Sequence, residues 1–377
     1  MRLLSPRARR GTALLVAPLV APLVVAACSN ATTGTDNGKP VQPACTFVNP
    51  VGSGADPWVV KRGGFYYLVE SAGRGIAVHK SASLTDVRKA AAVQVWSAPD
   101  VGWNRSNIWA PELHFLDGHW YIYYAGGPAD GGPFVNQRAG VLESVGDDPQ
   151  GAYVDRGMLN TGNDVAGGGA AIWAIDLTVG RVNGQLYAVW SGWENNDPAP
   201  GPLPDRKPQQ TYIARMSNPW TIATNRVQIS APTASWERGM ELDLQEGPSF
   251  LQRGDQTFVV YSTRESWLPD YRLGQLRLTS PTADPLSAAS WVKSSGPVFT
   301  GASGVGVWGV GHASFTASPD GSEDWIVYHA KSQSAPGWSD RVIRMQKFAW
   351  NADGSPNFGT PVPNAQAVAM PAGQCGS

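Results

Sequence analysis

One recurring pattern constrains the fold of this chain more than any other feature. About five times, a short apolar run led by a polar residue is followed by a tight turn and a second run rich in aromatic and β-branched residues. The copy at residues 174–194 is the clearest, with Asp176 in the first run, Asn183-Gly184 at the turn and residues 186–190 as the second run. An Asn-Gly turn between two such runs predicts a β-hairpin.

Four other segments align with this hairpin at their turns. These turns are Gly63-Gly64, Asp117-Gly118, Arg253-Gly254 and Asp320-Gly321. The residues that lead the first runs are Asp56, Ala110, Asp176, Glu246 or Gly247, and His312, and they lie 54 to 71 residues apart. That spacing leaves room for about four strands per repeat, so we predict an all-β fold, a five-bladed β-propeller. The alternative, a jelly-roll sandwich, gives no reason for a recurring hairpin with a polar residue at its start.

The charge balance excludes one class of partner. The 377 residues include 29 Lys and Arg against 30 Asp and Glu, so no strong field of one sign is available to attract nucleic acid or an anionic membrane. The 16 Trp residues are numerous for this length. Flat aromatic faces beside hydrogen-bonding groups suit sugars, although most of these Trp side chains are expected in the sheet core.

The N-terminal residues predict export. Residues 1–27 begin with several Arg residues and continue with an apolar run that Pro18 and Pro22 interrupt, which is typical of a signal peptide rather than a membrane span. The small residues before Cys28 resemble the lipobox of bacterial lipoproteins; the alternative is an ordinary cleavage site. We therefore expect lipidation of Cys28, a flexible tether over residues 28–45, and an extracellular protein that meets the membrane only through its lipid.

Two further cysteines remain, Cys45 and Cys375, one at each end of the predicted propeller at 46–377. In an oxidising compartment we expect them to form a disulfide that ties the ends of the ring, worth about 4 kcal/mol in the chain-entropy model. The alternative is two free thiols.

The leading polar residues predict an active site. In a propeller the first strand of each blade lines the central channel, so Asp56, Asp176, Glu246 and His312 should converge on one pocket. Hydrolysis of a glycosidic bond needs one carboxylate to activate water and one carboxylic acid to protonate the leaving oxygen. Each residue alone has a structural alternative, and it is their shared position in the repeat that favours catalysis.

Five short motifs occur in a characteristic order along the chain. They are Asp56-Pro57-Trp58, Asn107-Ile108-Trp109-Ala110-Pro111-Glu112, Ile175-Asp176, Glu246-Gly247-Pro248 and Gly311-His312-Ala313-Ser314-Phe315. Together they resemble the motifs of family 43 glycoside hydrolases over about residues 49–363. The resemblance implies a five-bladed propeller that cleaves arabinose- or xylose-containing polysaccharides with inversion of configuration. Leu177 departs from the family pattern, in which Pro often follows the third carboxylate.

The same resemblance implies roles for individual residues. Asp56 would be the general base, Glu246 the general acid, and Asp176 the carboxylate that raises the pKa of the acid and orients it. His312 is similar to a channel histidine near which some members hold calcium or a water, and Arg341 matches an arginine that touches the sugar in some members. No metal or other cofactor is required for the proton transfers, and the sequence shows no zinc-site spacing of His or Cys.

The motif details are most similar to those of extracellular exo-α-1,5-L-arabinofuranosidases. We therefore expect a monomer that releases terminal arabinofuranose from plant arabinan or arabino-oligosaccharides. Trp109, Trp173 and Trp193 flank the motif strands and are predicted pocket walls, with blade core as the alternative. The alternatives for the activity are an endo-arabinanase, a β-xylosidase, or a surface sugar-binding propeller without turnover.

Overall fold

The structure is a computed structural model that describes residues 45–128, 134–196 and 207–375, together with two two-residue strands, Thr35–Asp36 (β1) and Lys39–Pro40 (β2). The chain divides into two units, Met1–Ala44 and Cys45–Ser377. The predicted signal peptide at 1–27, Cys28 and nearly all of the tether at 28–45 lie outside the described residues. None of the helices in the described part of the chain is long and apolar enough to cross a membrane.

The second unit contains five larger antiparallel sheets, each formed mainly by consecutive strands, and one two-stranded sheet. Two short strands come first, β3 (Thr46–Val48) and β4 (Gly52–Ser53). Blade 1 contains β5 (Trp58–Arg62), β6 (Phe65–Ala72), β7 (Gly75–Ser81) and β8 (Ala92–Ser97). Blade 2 contains β9 (Ser106–Leu116), β10 (His119–Gly127), β11 (Arg138–Ser144) and β12 (Tyr153–Met158). Blade 3 contains β13 (Ala174–Val182), β14 (Gln185–Gly192), β15 (Gln210–Asn218), β16 (Thr221–Ile222) and β17 (Val227–Ser230).

The chain continues in the same way. Blade 4 contains β18 (Gln245–Arg253), β19 (Gln256–Thr263), β20 (Arg272–Leu278), β21 (Trp291–Lys293) and β22 (Phe299–Thr300). Blade 5 contains β23 (Trp308–Ala317), β24 (Asp324–Lys331), β25 (Arg341–Trp350) and β26 (Pro356–Asn357), and β27 (Ala367–Ala369) follows. Short 3₁₀ turns occur at Val87–Lys89, Ser235–Glu237, Ala288–Ser290 and Ser303–Val305.

The first strands of the five blades form a closed ring. β5 contacts β9, β9 contacts β13, β13 contacts β18, β18 contacts β23, and β23 returns to β5. The fold is therefore a five-bladed β-propeller, which confirms the prediction from the hairpin repeat.

The hydrophobic core lies between neighbouring blades, so that each sheet is covered on both faces. In β6, Leu68 packs toward Val327 of blade 5, whereas the next residue, Val69, packs toward Ile122 of blade 2. Equivalent clusters fill the other three blade interfaces. Burial on both faces explains why the second runs of the repeat are continuously apolar rather than alternating. Burial of each such apolar side chain stabilises the folded state by about 1.5–3 kcal/mol.

Residues that precede blade 1 close the ring against blade 5. β4 pairs with β25, with Ser53 opposite Val342 and Gly52 opposite Ile343. β27 near the C-terminus pairs with β3. Beyond these strands Cys45 and Cys375 form a disulfide with their Cα atoms 6.1 Å apart. The two ends of the propeller are thus joined by main-chain hydrogen bonds and by one covalent bond.

Candidate active site

A β-bulge recurs in the first strand of blades 2 to 5. In each of them two residues stand opposite a single aromatic residue of the second strand, namely Tyr124, Trp190, Tyr261 and Tyr328 in turn. The first residue of each bulge has a left-handed backbone, and so does Asp56 at the start of β5. These φ values are 49° at Asp56, 42° at Ala110, 54° at Asp176, 53° at Gly247 and 47° at His312.

The bulges explain how the predicted residues reach the channel. A bulge bends its strand and redirects the side chains beside it. A left-handed conformation in a residue other than glycine is strained and is concentrated at functional sites. The equivalent position in blade 4 is Gly247, so Glu246 stands one residue before the position held by Asp56, Asp176 and His312.

Two features favour glycine at position 247. Its φ of 53° is strained for a residue with a Cβ, as it is at the equivalent positions of the other blades, and here a Cβ would also lie 3.0 Å from the His312 ring. Its N–H donates to Asp176 Oδ2 at 2.9 Å. The Glu-Gly-Pro motif at residues 246–248 therefore links the Asp176 carboxylate directly to the strand that carries Glu246.

The predicted residues come together in one cavity of about 510 Å³. Asp56, Asp176, Glu246, His312 and Arg341 line it, and so do the three tryptophans named above. The volume falls in the range of small-molecule sites. The sequence argument that equivalent strands would converge thus matches the geometry.

Asp56 is held as a carboxylate. Arg341 donates from Nη1 to its Oδ1 at 3.2 Å, and His312 Nδ1 lies 3.2 Å from the same oxygen. Burial alone would raise the pKa of Asp56, but the charges of Arg341 and His312 more than offset it and place the pKa well below its usual range. A carboxylate that is ionised at neutral pH is available to take a proton from a water molecule in the cavity.

A buried histidine fixes the backbone of this carboxylate. His329 Nδ1 accepts a hydrogen bond from the Asp56 N–H at 3.1 Å. The His329 ring is fully buried and stacks on Tyr271, with ring centroids 5.5 Å apart and planes 8° from parallel. Burial lowers the pKa of His329 to about 4, so its ring is neutral near neutral pH.

Glu246 is in the opposite electrostatic situation. Burial, together with the nearby charge of Asp56, raises its pKa to about 7, although a hydrogen bond from Tyr271 to Oε1 at 2.9 Å lowers it in part. The pKa of Asp176 is likewise raised to about 7, mainly by burial and also by the charges of Glu246 and Asp56. Because each of these carboxyl groups disfavours ionisation of the other, one of them retains a proton at neutral pH.

The tryptophans form a layered wall. Trp173 and Trp193 stack face to face with ring centroids 4.4 Å apart and planes 4° from parallel, and both are almost completely buried. Trp109 packs against Phe134 with ring centroids 5.5 Å apart. These residues therefore serve both of the roles considered from the sequence, since they pack against one another and also line the cavity.

An ion near His312 stays a prediction. Calcium prefers six to eight oxygen ligands, whereas the groups beside Asp56 are two imidazoles and a guanidinium. The described residues include no group of three or more His, Cys, Asp or Glu side chains able to hold a metal ion. That catalysis needs no cofactor stays a prediction.

Several residues of the cavity escape the sequence analysis. They are Phe134, Lys207, Ser266, Trp267 and Trp338 in the lining, with Tyr271 and His329 directly behind it. Most of them lie in the connections between the second and third strands, where the repeat gives no register. His329 has a usable signal, because it pairs with Gly311, immediately before His312, in the fifth copy of the hairpin.

Comparisons with known proteins agree with this geometry. Residues 47–356 match glycosyl hydrolases family 43. An extracellular exo-α-(1→5)-L-arabinofuranosidase of Streptomyces avermitilis is 36% identical, over 90% of this chain and 69% of that protein. A protein of the same name from Streptomyces chartreusis is 30% identical, over 76% of this chain and 82% of that protein.

A solved structure gives the same result. The crystal structure of an α-L-arabinofuranosidase from Lactobacillus brevis matches with a TM-score of 0.74 and 32% identity, and the match covers 85% of this chain and 98% of that one. The family match extends over most of the propeller and includes all five inner strands. The chain therefore belongs to family 43 of the glycosyl hydrolases.

Proposed function

We propose that this protein is an inverting exo-glycosidase that releases terminal α-L-arabinofuranose from arabinan or arabino-oligosaccharides. The observation that carries the proposal is one cavity that contains a carboxylate of depressed pKa, Asp56, and a carboxylic acid of raised pKa, Glu246. Two carboxyl groups with pKa values pushed apart are what acid and base assistance to glycoside hydrolysis requires.

The proposed mechanism is a single displacement. Asp56 takes a proton from a water molecule as its oxygen attacks the anomeric carbon, while the Glu246 O–H gives its proton to the departing glycosidic oxygen. The products are arabinose of inverted configuration and a chain shortened by one residue. Exchange with solvent then returns the proton from Asp56 and restores the one on Glu246. A water between sugar and base needs the two carboxyl groups about 6.5–9.5 Å apart.

The neighbouring groups keep the two carboxyl groups in these states. Arg341 and His312 stabilise the negative charge of Asp56. The charge of Glu246 raises the pKa of Asp176, and because this repulsion is mutual we assign Asp176 the role of keeping Glu246 protonated. The hydrogen bond that Asp176 accepts from Gly247 fixes the strand beside the acid. In this scheme Asp176 is a positioning residue that neither attacks nor transfers a proton.

The substrate class follows from the relatives and the cavity. The two Streptomyces proteins and the Lactobacillus protein are named as arabinofuranosidases. The cavity lining combines six aromatic rings with polar and charged groups that include Asp56 and Glu246, as suits the apolar faces and hydroxyls of a sugar.

Substitution of the two carboxyl groups tests the assignment. Glu246→Gln should lower kcat on the α-1,5 linkage by about 10²–10⁴-fold but spare an aryl arabinofuranoside whose leaving group needs no proton. Asp56→Asn should abolish turnover of both substrates. Glu241→Gln, five residues from Glu246 and outside the cavity lining, serves as the matched control and should behave as wild type.

The stereochemistry and products complete the test. Proton NMR of the first product anomer should show inversion. Retention, or equal losses on both substrates for Glu246→Gln, would contradict the mechanism. Xylose release from aryl xylosides in place of arabinose would identify a β-xylosidase, and sugar binding without any hydrolysis would identify a binding module.

We also propose that the enzyme works outside the cell, attached through a lipid on Cys28, with residues 28–45 as the tether. The basic start, the interrupted apolar run and the small residues before Cys28 support this, and the Streptomyces relatives are named extracellular. In a bacterial host, Cys28→Ser should move activity from the membrane fraction to the medium and abolish labelling by radioactive fatty acid. An unlabelled wild type would rule out the anchor.

A further inference from the structure

Two exposed aromatic rings meet above the cavity. Phe134 and Trp338 stack with ring centroids 6.1 Å apart and planes 29° from parallel. They are 45% and 42% exposed, which is unusual for side chains of this size, yet both line the cavity. Exposed aromatic side chains of this kind beside a sugar site indicate a functional surface.

The ring pair joins two blades that are not neighbours. Phe134 lies between β10 and β11 of blade 2, and Trp338 lies between β24 and β25 of blade 5. These two blades flank blade 1, whose first strand contacts both of theirs. The corresponding connection of blade 1 itself is only the two-residue turn Gly73-Arg74. Blade 1 therefore contributes no loop of its own on this side, and the stacked rings span the gap.

Other contacts hold both rings in place. Phe134 packs on Trp109, and its carbonyl oxygen accepts a hydrogen bond from Trp173 Nε1 at 2.7 Å. Trp338 packs edge-to-face on Trp267 with ring centroids 5.2 Å apart, and its Nε1 donates to Ser266 Oγ at 3.1 Å. The pair is thus anchored to the walls on both sides of the cavity.

The positions of the acid and the base decide what the ring pair obstructs. Glu246, on blade 4, must face the glycosidic oxygen, so the departing chain leaves on the side of that blade. Asp56 stands at the start of blade 1, which is flanked by blades 2 and 5 rather than by blade 4. An internal sugar unit also carries a chain on its non-reducing side, which needs a second way out of the cavity, and the ring pair obstructs the way over blade 1.

We propose that Phe134 and Trp338 form an aromatic wall that closes the cavity over blade 1 and restricts cleavage to chain ends. This inference rests on the proposed arabinofuranosidase activity and names the residues that make it an exo activity. The wall excludes any substituent on the non-reducing side of the bound sugar, so an internal arabinose unit cannot occupy the catalytic position.

The test uses linear α-1,5-arabinan and the same polymer with its non-reducing ends chemically blocked. Wild type should release only arabinose from the first and nothing from the second. Phe134→Ala, and more strongly Phe134→Ala with Trp338→Ala, should release oligosaccharides from both and raise the ratio of oligosaccharide to arabinose by about tenfold or more. Phe134 is the primary site because its side chain, unlike that of Trp338, makes no hydrogen bond to a residue beside Glu246.

Two controls isolate the wall. Phe134→Tyr keeps a ring at the same place and should keep the exo pattern. Phe65→Ala removes another exposed ring, 38% accessible, from the hairpin turn at the far end of β5, and should behave as wild type. Thermal unfolding of every variant verifies that it is folded.

The possible outcomes separate the two proposals. Folded single and double variants that still release only arabinose, and still ignore the blocked polymer, would overturn the wall. So would a wild type that already cleaves the blocked polymer. A wild type that releases no arabinose from any substrate refutes the proposed function instead.

Discussion

Removal of one hydroxyl group, in Tyr271→Phe, should move the pH dependence of catalysis in a defined direction. The Tyr271 O–H donates to Glu246 Oε1 at 2.9 Å, and a hydrogen bond to a carboxylate favours the ionised form. The native bond therefore lowers the pKa of Glu246. Phenylalanine keeps the ring that stacks on His329 and removes only the donor.

The size of the shift follows from the strength of the bond. A hydrogen bond to a charged group is worth about 1.5–3 kcal/mol, and one to the neutral acid about 0.5–1.5 kcal/mol. The difference of about 1–1.5 kcal/mol corresponds to about one pKa unit. In the wild type the acid should lose its proton at a pH of about 7. The variant should keep this proton about one pH unit higher, so the alkaline limb of kcat/KM moves up by that amount.

The assay is kcat/KM against pH on an unactivated arabinobiose, which reports the free enzyme. Tyr261→Phe is the matched control, because Tyr261 is equally buried in blade 4 but donates to Glu237, away from the cavity. It should lower the free energy of unfolding and leave the limb in place. An alkaline limb that stays put or moves down in Tyr271→Phe, or moves equally in Tyr261→Phe, would refute the assignment of Glu246 as the acid.

Three further predictions concern the same framework. Asp176→Asn should move the alkaline limb down, since it removes the carboxyl group whose ionisation competes with that of Glu246; a limb that moved up would contradict this. Gly247→Ala should lower the free energy of unfolding by about 1–3 kcal/mol and should also lower kcat, because the new Cβ would press on the His312 ring. Urea unfolding measures the first effect and steady-state kinetics the second. A variant with unchanged stability and kcat would show that the ring gives way. Reduction of the terminal disulfide should lower stability by about 2–5 kcal/mol, and an unchanged melting temperature under reductant would refute its structural role.

The blade repeat and the convergence of its polar residues could be predicted because both depend on local patterns. Apolar runs with a fixed turn specify a hairpin, and five hairpins in phase specify a ring. Asp56, Asp176 and His312 stand out because each is a polar residue at an equivalent place before the turn of its hairpin copy. Glu246 could be placed only within a residue, because a bulge inserts one residue and the sequence does not show on which side.

The rim of the cavity could not be predicted from the sequence. Phe134, Trp267 and Trp338 lie in connections whose lengths differ from blade to blade, and their mutual contacts join residues up to 204 positions apart. Such contacts depend on how the blades are arranged around the axis rather than on any local pattern. The same applies to Tyr271, whose hydrogen bond to Glu246 becomes visible only when the third strand of blade 4 is placed behind the first.

Equivalent residues in the second strands of three blades connect the repeat to the active site. Ser191, Ser262 and His329 hold equivalent positions at the ends of three second strands, just past the aromatic residue that faces the bulge. Ser262 Oγ accepts a hydrogen bond from the His312 N–H at 2.7 Å, and His329 Nδ1 does the same for the Asp56 N–H at 3.1 Å. In both cases a side chain of one blade holds the left-handed residue of the next.

This arrangement explains how strained residues are maintained in the channel. A left-handed backbone costs of order 1–3 kcal/mol and persists only when neighbouring groups determine it. Ser262 and His329 supply the acceptor that each strained N–H needs, across the blade interface rather than within one sheet. The active site is therefore distributed over the seams of the ring, so the same contacts that close blades 4, 5 and 1 on one another also aim Asp56 and His312 at the substrate.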